Sequence, residues 1–320
     1  MSKELFEVEP NYEGATVAAY VRDKKGLSWA KAKHLVDARM VEISGAVCRD
    51  PARRIHPGES VTILSSPAPK KAVDHGVNIR HLDIHLVVVE KPSGISSVRH
   101  PTEREWTAER RALSPTLEEI LPDLIKRRDP RPTGGKTHRL RIVHRLDKET
   151  SGLMVFARTV DAERGLGVQF RDHTIHRRYV AIIPGQIRDQ SFESQLVRDR
   201  GDGRRGSTTL PSVGKHSVTH VKLRKPIGNY SMIECRLETG RTHQIRIHLS
   251  ENGHPLCGEP VYRKTLGGYE VPDHSGAPRL ALHAEALGFV HPVTGSNMNF
   301  DMPLPPDLTR WLESLENQSV

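Results

Sequence analysis

Asp147 is a single carboxylate set among cations. In the run His144-Arg145-Leu146-Asp147-Lys148, Arg145 lies two residues before it and Lys148 directly after. Nearby positive charge favours the ionised form of an acid, so the pattern predicts a carboxylate able to act as nucleophile or general base. A salt-bridged Asp closing a hairpin would carry the same neighbours. A second candidate is Arg241, in Gly240-Arg241-Thr242-His243-Gln244-Ile245-Arg246. There a strand over Met232 to Leu237 is expected to pass into a helix capped by Thr242. The free N–H groups of a helix start favour an anion, and an Arg beside them can grip a carboxylate or phosphate through two parallel bonds. Tyr179, inside the alternating run Arg177 to Ile183, reads by itself as half-buried strand packing.

Other chemistries find less support. His283-Ala284-Glu285 matches the H-x-E half of a zinc deaminase, but no P-C-x-x-C follows. His243 and His248 are five apart, not the four of a helical zinc pair. There is no phosphate-binding P-loop, no dinucleotide fingerprint and no G-x-S-x-G elbow. Nothing in the sequence calls for a cofactor or a metal.

The elements that must position these residues can be read from periodicity. Ile142-Val143 and Leu153 to Ala157 are apolar runs on either side of Asp147, which places it on a short connection between two strands. His85 to Val89 reads as a further strand, Leu117 to Lys126 and Val160 to Asp172 as helices, and Thr242 to Asn252 as the helix after Arg241. Residues 96 to 141 look irregular and basic outside that one helix. Gly201 to Gly206 and Gly267 to Pro278 look flexible. Strand signals dominate from 140 to 300, which predicts one α+β domain on a mixed, mostly antiparallel sheet.

The 320 residues carry 48 Lys and Arg against 39 Asp and Glu, a net charge of +9, with a pI near 9.6. That balance suits a polyanionic partner such as RNA, DNA or an anionic surface. No stretch is apolar enough to span a membrane. Met1 to Pro10 alternates acidic and apolar residues, unlike a signal peptide. The three cysteines, Cys48, Cys235 and Cys257, are few and widely spaced, which speaks for a reducing cytoplasm.

A separate module is expected before the Pro/Ser/Lys-rich run Ser65 to Lys71. Val17 to Arg22 has a helical pattern. Ser28 caps a second helix carrying Trp29, Ala32, Leu35 and Val36, and Val41-Glu42-Ile43 and Ala46-Val47-Cys48 flank a Ser44-Gly45 turn. After the turn at Pro57-Gly58, Ser60 to Leu64 is the last strand. Residues 16–64 hold nine Lys/Arg against five acids, so this module is about +4. Its few aromatics favour phosphate and shape contacts over base reading.

Taken together, the motifs carry a family resemblance. Ile142 to Gly152, with His144-Arg145-Leu146-Asp147-Lys148 and Thr150-Ser151-Gly152, resembles the signature of the RluA family of RNA pseudouridine synthases. Gly240 to Leu249 resembles that family's second hallmark and Arg279 to Ala284 its third, with Arg178-Tyr179-Val180-Ala181 between them. Similarity can be traced from about Val88 to Leu304. The resemblance implies a central bent sheet with the cleft across its middle. It implies that Asp147 is the catalytic residue, that Arg241 is the basic partner orienting it, and that Tyr179 stacks on the uracil and handles a proton. It also implies that Arg145 enters the RNA stack where the flipped base had been. The two short helices and strand-turn-strand near the N-terminus resemble an S4 RNA-binding domain, with Lys31, Lys33 and Arg39 as expected RNA contacts.

The expected organisation is therefore an S4-like domain at 14–65, a linker at 66–76 and a pseudouridine synthase domain at 77–320. The expected activity is isomerisation of uridines in RNA, most readily large-subunit ribosomal RNA, without cofactor or metal. The expected protein is a cytoplasmic monomer needing no membrane or protein partner. The alternatives are a non-catalytic RNA-binding or ribosome-assembly factor on the same fold, a transfer RNA pseudouridine synthase, and a hydrolase that releases free uracil.

Overall fold

A computed structural model describes residues 3–67, 75–129, 139–210 and 212–317. The chain forms two compact units, Met1–Val73 and Asp74–Val320. Most of the expected linker, residues 68–74, lies outside the described residues.

The first unit is β1 (Lys3–Glu7), α1 (Val17–Lys25), α2 (Trp29–Asp37), β2 (Val41–Ile43), β3 (Ala46–Val47) and β4 (Ser60–Leu64). Its four-stranded sheet has the order β1-β4-β2-β3, antiparallel throughout. Both helices start on a hydroxyl cap: Thr16 accepts from the N–H of Ala19 and Ser28 from that of Lys31. Val17, Tyr20, Val21, Ala32 and Val36 pack under Val41, Ile43, Val61 and Ile63. Trp29, expected on the apolar face of α2, is instead 47% exposed, with the Arg22 guanidinium 5.0 Å from its ring centre. β1 is an element that alternation near the N-terminus hints at without announcing, because its faces are mostly exposed.

The second unit contains β5 (Asn78–Leu82), β6 (Leu86–Lys91), α3 (Ala108–Leu113), α4 (Leu117–Arg128), β7 (Arg141–Ile142), β8 (Ser151–Ala157) and α5 (Val160–Arg171). It continues with β9 (His176–Pro184), β10 (Gln190–Val197), β11 (Gly206–Thr208), β12 (Lys215–Ile227), β13 (Tyr230–Leu237) and α6 (Gln244–Glu251). It ends with β14 (Leu282–Val290), β15 (Asn297–Asp301) and α7 (Pro306–Asn317). One eleven-stranded sheet runs β11-β10-β12-β13-β9-β14-β8-β6-β5, with β15 on β14 and β7 on β8. Every pairing is antiparallel except β14 with β8, so the sheet is mixed and mostly antiparallel, as its sequence suggests. α4 opens with a capping box of Thr116 and Glu119.

That one parallel junction matters for the site. Gly152 pairs with Ala284, Ala284 with Tyr179, and Tyr179 with Cys235, one row across β8, β14, β9 and β13. The row fixes Tyr179 relative to the strand that leaves the Asp147 loop. Gly152 has φ +130°, and a Cβ there would lie 2.6 Å from the Ala284 nitrogen. Only glycine lets the two backbones approach this closely.

Candidate active site

β7 and β8 pair antiparallel through Arg141–Ala157 and Ile142–Phe156, so residues 143–150 form the connection carrying Asp147. Leu146 anchors that loop in the main core. The Thr150 N–H donates to the Asp147 carbonyl at 3.2 Å, closing the turn.

A second segment staples the loop from outside. The Ser97 hydroxyl donates to the Leu146 carbonyl at 2.6 Å and accepts from its N–H at 3.1 Å. Ser93 Oγ donates to the Glu149 carbonyl at 2.7 Å, and the Gly94 N–H to that of Lys148 at 2.9 Å. Lys91, fully buried, donates to the carbonyls of Pro92 and Ile95 at 2.8 Å and of Lys148 at 3.0 Å. Burial draws the Lys91 pKa down to about 7, while Asp147 and Glu149 oppose the shift. Its three carbonyl partners match the three donors of an ammonium group. Both flanks of Asp147 are thus tied to the 91–97 segment.

Asp147 borders a cavity of about 380 Å³ with Leu146, Tyr179, Leu282, Ile245 and Arg246 on its walls. Leu146, Tyr179, Ile245 and Leu282 offer apolar surface to a planar base, while Arg145, Arg177, Arg241 and His243 line the same cavity. Asp147 Oδ2 lies 3.5 Å from Arg246 Nη1 and Oδ1 lies 3.8 Å from His243 Nε2. Arg246 is in turn held by Glu259, through Nε to Oε2 at 2.7 Å and Nη2 to Oε1 at 2.6 Å. Glu259 also accepts the N–H groups of Val261 and Tyr262. His243 Nδ1 and the Tyr262 hydroxyl are 2.6 Å apart. Burial lowers the His243 pKa, opposed by Asp147.

Arg241 lines the same cavity, but the expected pairing with Asp147 is not what forms. Its Nε donates to the His216 carbonyl at 3.2 Å, and the ion pair to Asp147 comes from Arg246. The reason lies in the helix start. α6 begins at Gln244 after His243, which adopts a left-handed conformation, not at a Thr242 cap. The Gln244 side chain does the pinning: it accepts from the Arg241 N–H at 3.0 Å and from Thr239 Oγ1 at 2.7 Å, and donates to the Val218 carbonyl at 2.9 Å. Arg241 therefore precedes the helix, whereas Arg246 projects from its first turn toward Asp147.

Tyr179 is buried in the cavity wall. Burial raises its phenol pKa, partly opposed by Arg177. Arg145 is exposed at the cavity rim. His144 also borders the cavity, but it is held by the scaffold: its Nε2 accepts from the Val155 N–H at 3.0 Å and its ring stacks on Phe170 at 4.7 Å. Burial pulls its pKa down to about 3, with Arg177 adding to the effect. Lys31 and Lys33 are exposed on α2 and Arg39 is half-buried just beyond it, all in the first unit. His283 lies between Ser151 Oγ and the Met302 carbonyl, 2.9 and 3.1 Å away. No group of three or more potential metal ligands occurs among the described residues.

A carboxylate steadied by a buried guanidinium, with a buried phenol and apolar side chains on the walls of the same cavity, makes a site able to act on a nucleobase. A family model described as RNA pseudouridylate synthase matches residues 85–251. The chain belongs to this family, in its RluA-type branch, and is an isomerase of uridine in RNA. Ribosomal large subunit pseudouridine synthase D of Zymomonas mobilis is 38% identical over 289 residues, 88% of this chain and 87% of that one. Uncharacterized RNA pseudouridine synthase YlyB of Bacillus subtilis is 37% identical over 271 residues, 82% of this chain and 81% of that one. Human RNA pseudouridylate synthase domain containing 4 shares the fold, with a TM-score of 0.57 at 23% identity, over 74% of this chain and 92% of that one.

Proposed function

We propose that this chain converts uridines of large-subunit ribosomal RNA to pseudouridine, with Asp147 as the catalytic carboxylate. The observation carrying this reading is the Asp147–Arg246–Glu259 chain of contacts bordering a cavity of about 380 Å³. The relatives named for the large ribosomal subunit, 33–38% identical over most of the chain, favour that RNA over transfer RNA. The reaction breaks the C1′–N1 bond and forms C1′–C5, with loss of the C5 proton and gain of one at N1. In this reading Tyr179 stacks on the uracil and its protonated phenol serves as a donor. Arg246 keeps the Asp147 carboxylate aimed. Arg145, exposed at the rim, enters the gap left by the flipped base, whose unstacking costs a few kcal/mol. Arg241 sits beside this site as an RNA contact.

The first unit serves as an S4-like RNA-binding domain, residues 14–65, joined through 66–76 to the catalytic domain 77–320. Lys31, Lys33 and Arg39 contact phosphates there. The enzyme works as a cytoplasmic monomer without protein partner or cofactor. No described helix is long and apolar enough to cross a membrane.

The test is incubation of the full chain with in-vitro-transcribed large-subunit ribosomal RNA, followed by pseudouridine mapping and assay of free uracil. Pseudouridine at defined positions is expected, with a loss of at least about 1000-fold in Asp147→Asn. Free uracil would indicate a hydrolase, and product only on transfer RNA would move the substrate. Binding without product would make the chain a non-catalytic factor.

A further inference from the structure

Several arginines of the catalytic unit are paired with carboxylates: Arg178 and Arg224 with Glu285, Arg200 with Asp202, Arg236 with Glu234, Arg279 with Asp307. A cluster beside the catalytic cavity is not. Arg198, Arg205 and Lys215 line a groove of about 510 Å³ and have no acidic partner among the described residues. No carboxylate lines it among the described residues. Gly240, Arg241 and Thr242 belong both to this groove and to the catalytic cavity, so the two are continuous.

The strand register explains how the cations meet. The β10–β11 pair ends at Val197 and Gly206, and the next residue on each strand is Arg198 and Arg205. β12 brings Lys215 alongside Leu196. Like charges placed together without a counter-charge oppose folding. Nearby acids are engaged elsewhere: Asp199 caps the turn at Gly201 and Gly203, Asp202 holds Arg200, and Glu193 meets His216. Arg241 has its Nε on the His216 carbonyl, and its two terminal nitrogens have no protein partner among the described residues. Among the described residues the groove has no aromatic ring on its walls, so they offer nothing on which a base could stack.

We propose that this groove is a phosphate-binding subsite holding the RNA backbone as it leaves the catalytic cavity, with Arg241 at the junction. The proposal rests on the pseudouridine synthase reading for its polyanion. It gives Arg241 a role that its distance from an ion pair with Asp147 leaves open. The subsite grips without reading sequence, since phosphate contacts position a strand and base contacts specify it.

The test uses the full chain and a 20-nucleotide oligouridine, with binding measured across a KCl series. The variant is Arg198→Gln/Arg205→Gln/Lys215→Gln. An equal charge change at Arg188→Gln/Lys222→Gln/Arg310→Gln, outside the groove, is the control. The groove variant is expected to lose about two units of log–log salt slope, since each single-strand contact accounts for roughly 0.7, and the control under about half a unit. On ribosomal RNA its kcat/KM should fall at least about tenfold, with most of the turnover recovered at saturating RNA. Equal slope losses in both variants, or none, would overturn the subsite. A tenfold loss that saturation does not recover would assign these residues to the chemistry instead. If the groove variant does not fold, Lys215→Glu at its exposed position supplies the same comparison with a loss of about one unit. A chain that shows the slope change yet makes no pseudouridine would remove the functional reading and leave an RNA-binding groove.

Discussion

Glu259 holds Arg246 with both of its oxygens, at 2.7 and 2.6 Å, and so leaves Nη1 as the nitrogen that faces Asp147 at 3.5 Å. Arg246 is 6% and Glu259 1% exposed at their side chains. A buried guanidinium locked along two bonds cannot swing, so the Asp147 carboxylate meets a charge at a fixed place.

Loosening that lock should reach the chemistry without touching it. Glu259→Gln keeps the shape and removes the charge. It is expected to lower kcat roughly 10- to 100-fold with little change in KM, the scale of a misplaced catalytic group. Arg246→Met should cost nearly as much as Asp147→Asn, and the double variant little more, because groups acting as a unit are not additive. Single-turnover rates at saturating enzyme measure this. Independent, multiplicative losses would separate Arg246 from Asp147.

Tyr179 makes a sharper distinction between ring and hydroxyl. Burial holds its phenol above the ordinary value, so at neutral pH it donates a proton and does not accept one. Tyr179→Phe should keep RNA affinity and lower kcat at least about tenfold, whereas Tyr179→Leu should also weaken binding by removing the stacking face. Turnover of Tyr179→Phe equal to wild type would leave the residue a wall of the cavity.

What could be read in advance follows the locality of each signal. The Asp147 loop, the strand of Tyr179 and the cap at Ser28 depend on neighbours in sequence, and periodicity finds them. Arg246 was in view in the motif, but its alignment with Asp147 depends on which residue begins α6. That was settled by Gln244 bonding to Thr239 and to Val218, 26 residues away. Glu259 carries no local signal at all, as its partner lies 13 residues earlier across a turn. Lys91 reads as a strand-end cation, and only the folded packing turns it into a staple on Lys148.

Gly152 provides a test of the junction that sets the spacing between Asp147 and Tyr179. Gly152→Ala would drive its Cβ into the Ala284 backbone at a φ of +130°. A clash with backbone has no rotamer to relieve it, so a loss of at least roughly 3 kcal/mol is expected. Gly167→Ala is the contrast: it lies within α5 with nothing within 4 Å of the added Cβ, and should stabilise by about 0.5–1 kcal/mol. Urea unfolding of both variants decides it. Gly152→Ala as stable as wild type would show that β8 and β14 can part at no cost.

His144 predicts an acid limb of stability. Its folded pKa is drawn down to about 3 by burial, against about 6.5 in an unfolded chain. The unfolded state then binds more protons between those values, so the neutral ring's contribution is complete above pH 6.5 and is lost as pH falls toward 3. At pH 5 the gap is about 1.5 units, worth at most about 2 kcal/mol. His144→Gln can still accept from the Val155 N–H but does not titrate. It should lower stability at pH 8, where the stacked imidazole on Phe170 is missing, and show a smaller drop between pH 8 and pH 5 than wild type. Urea midpoints at the two pH values measure the difference. Identical drops in the two proteins would place the acid sensitivity on other groups.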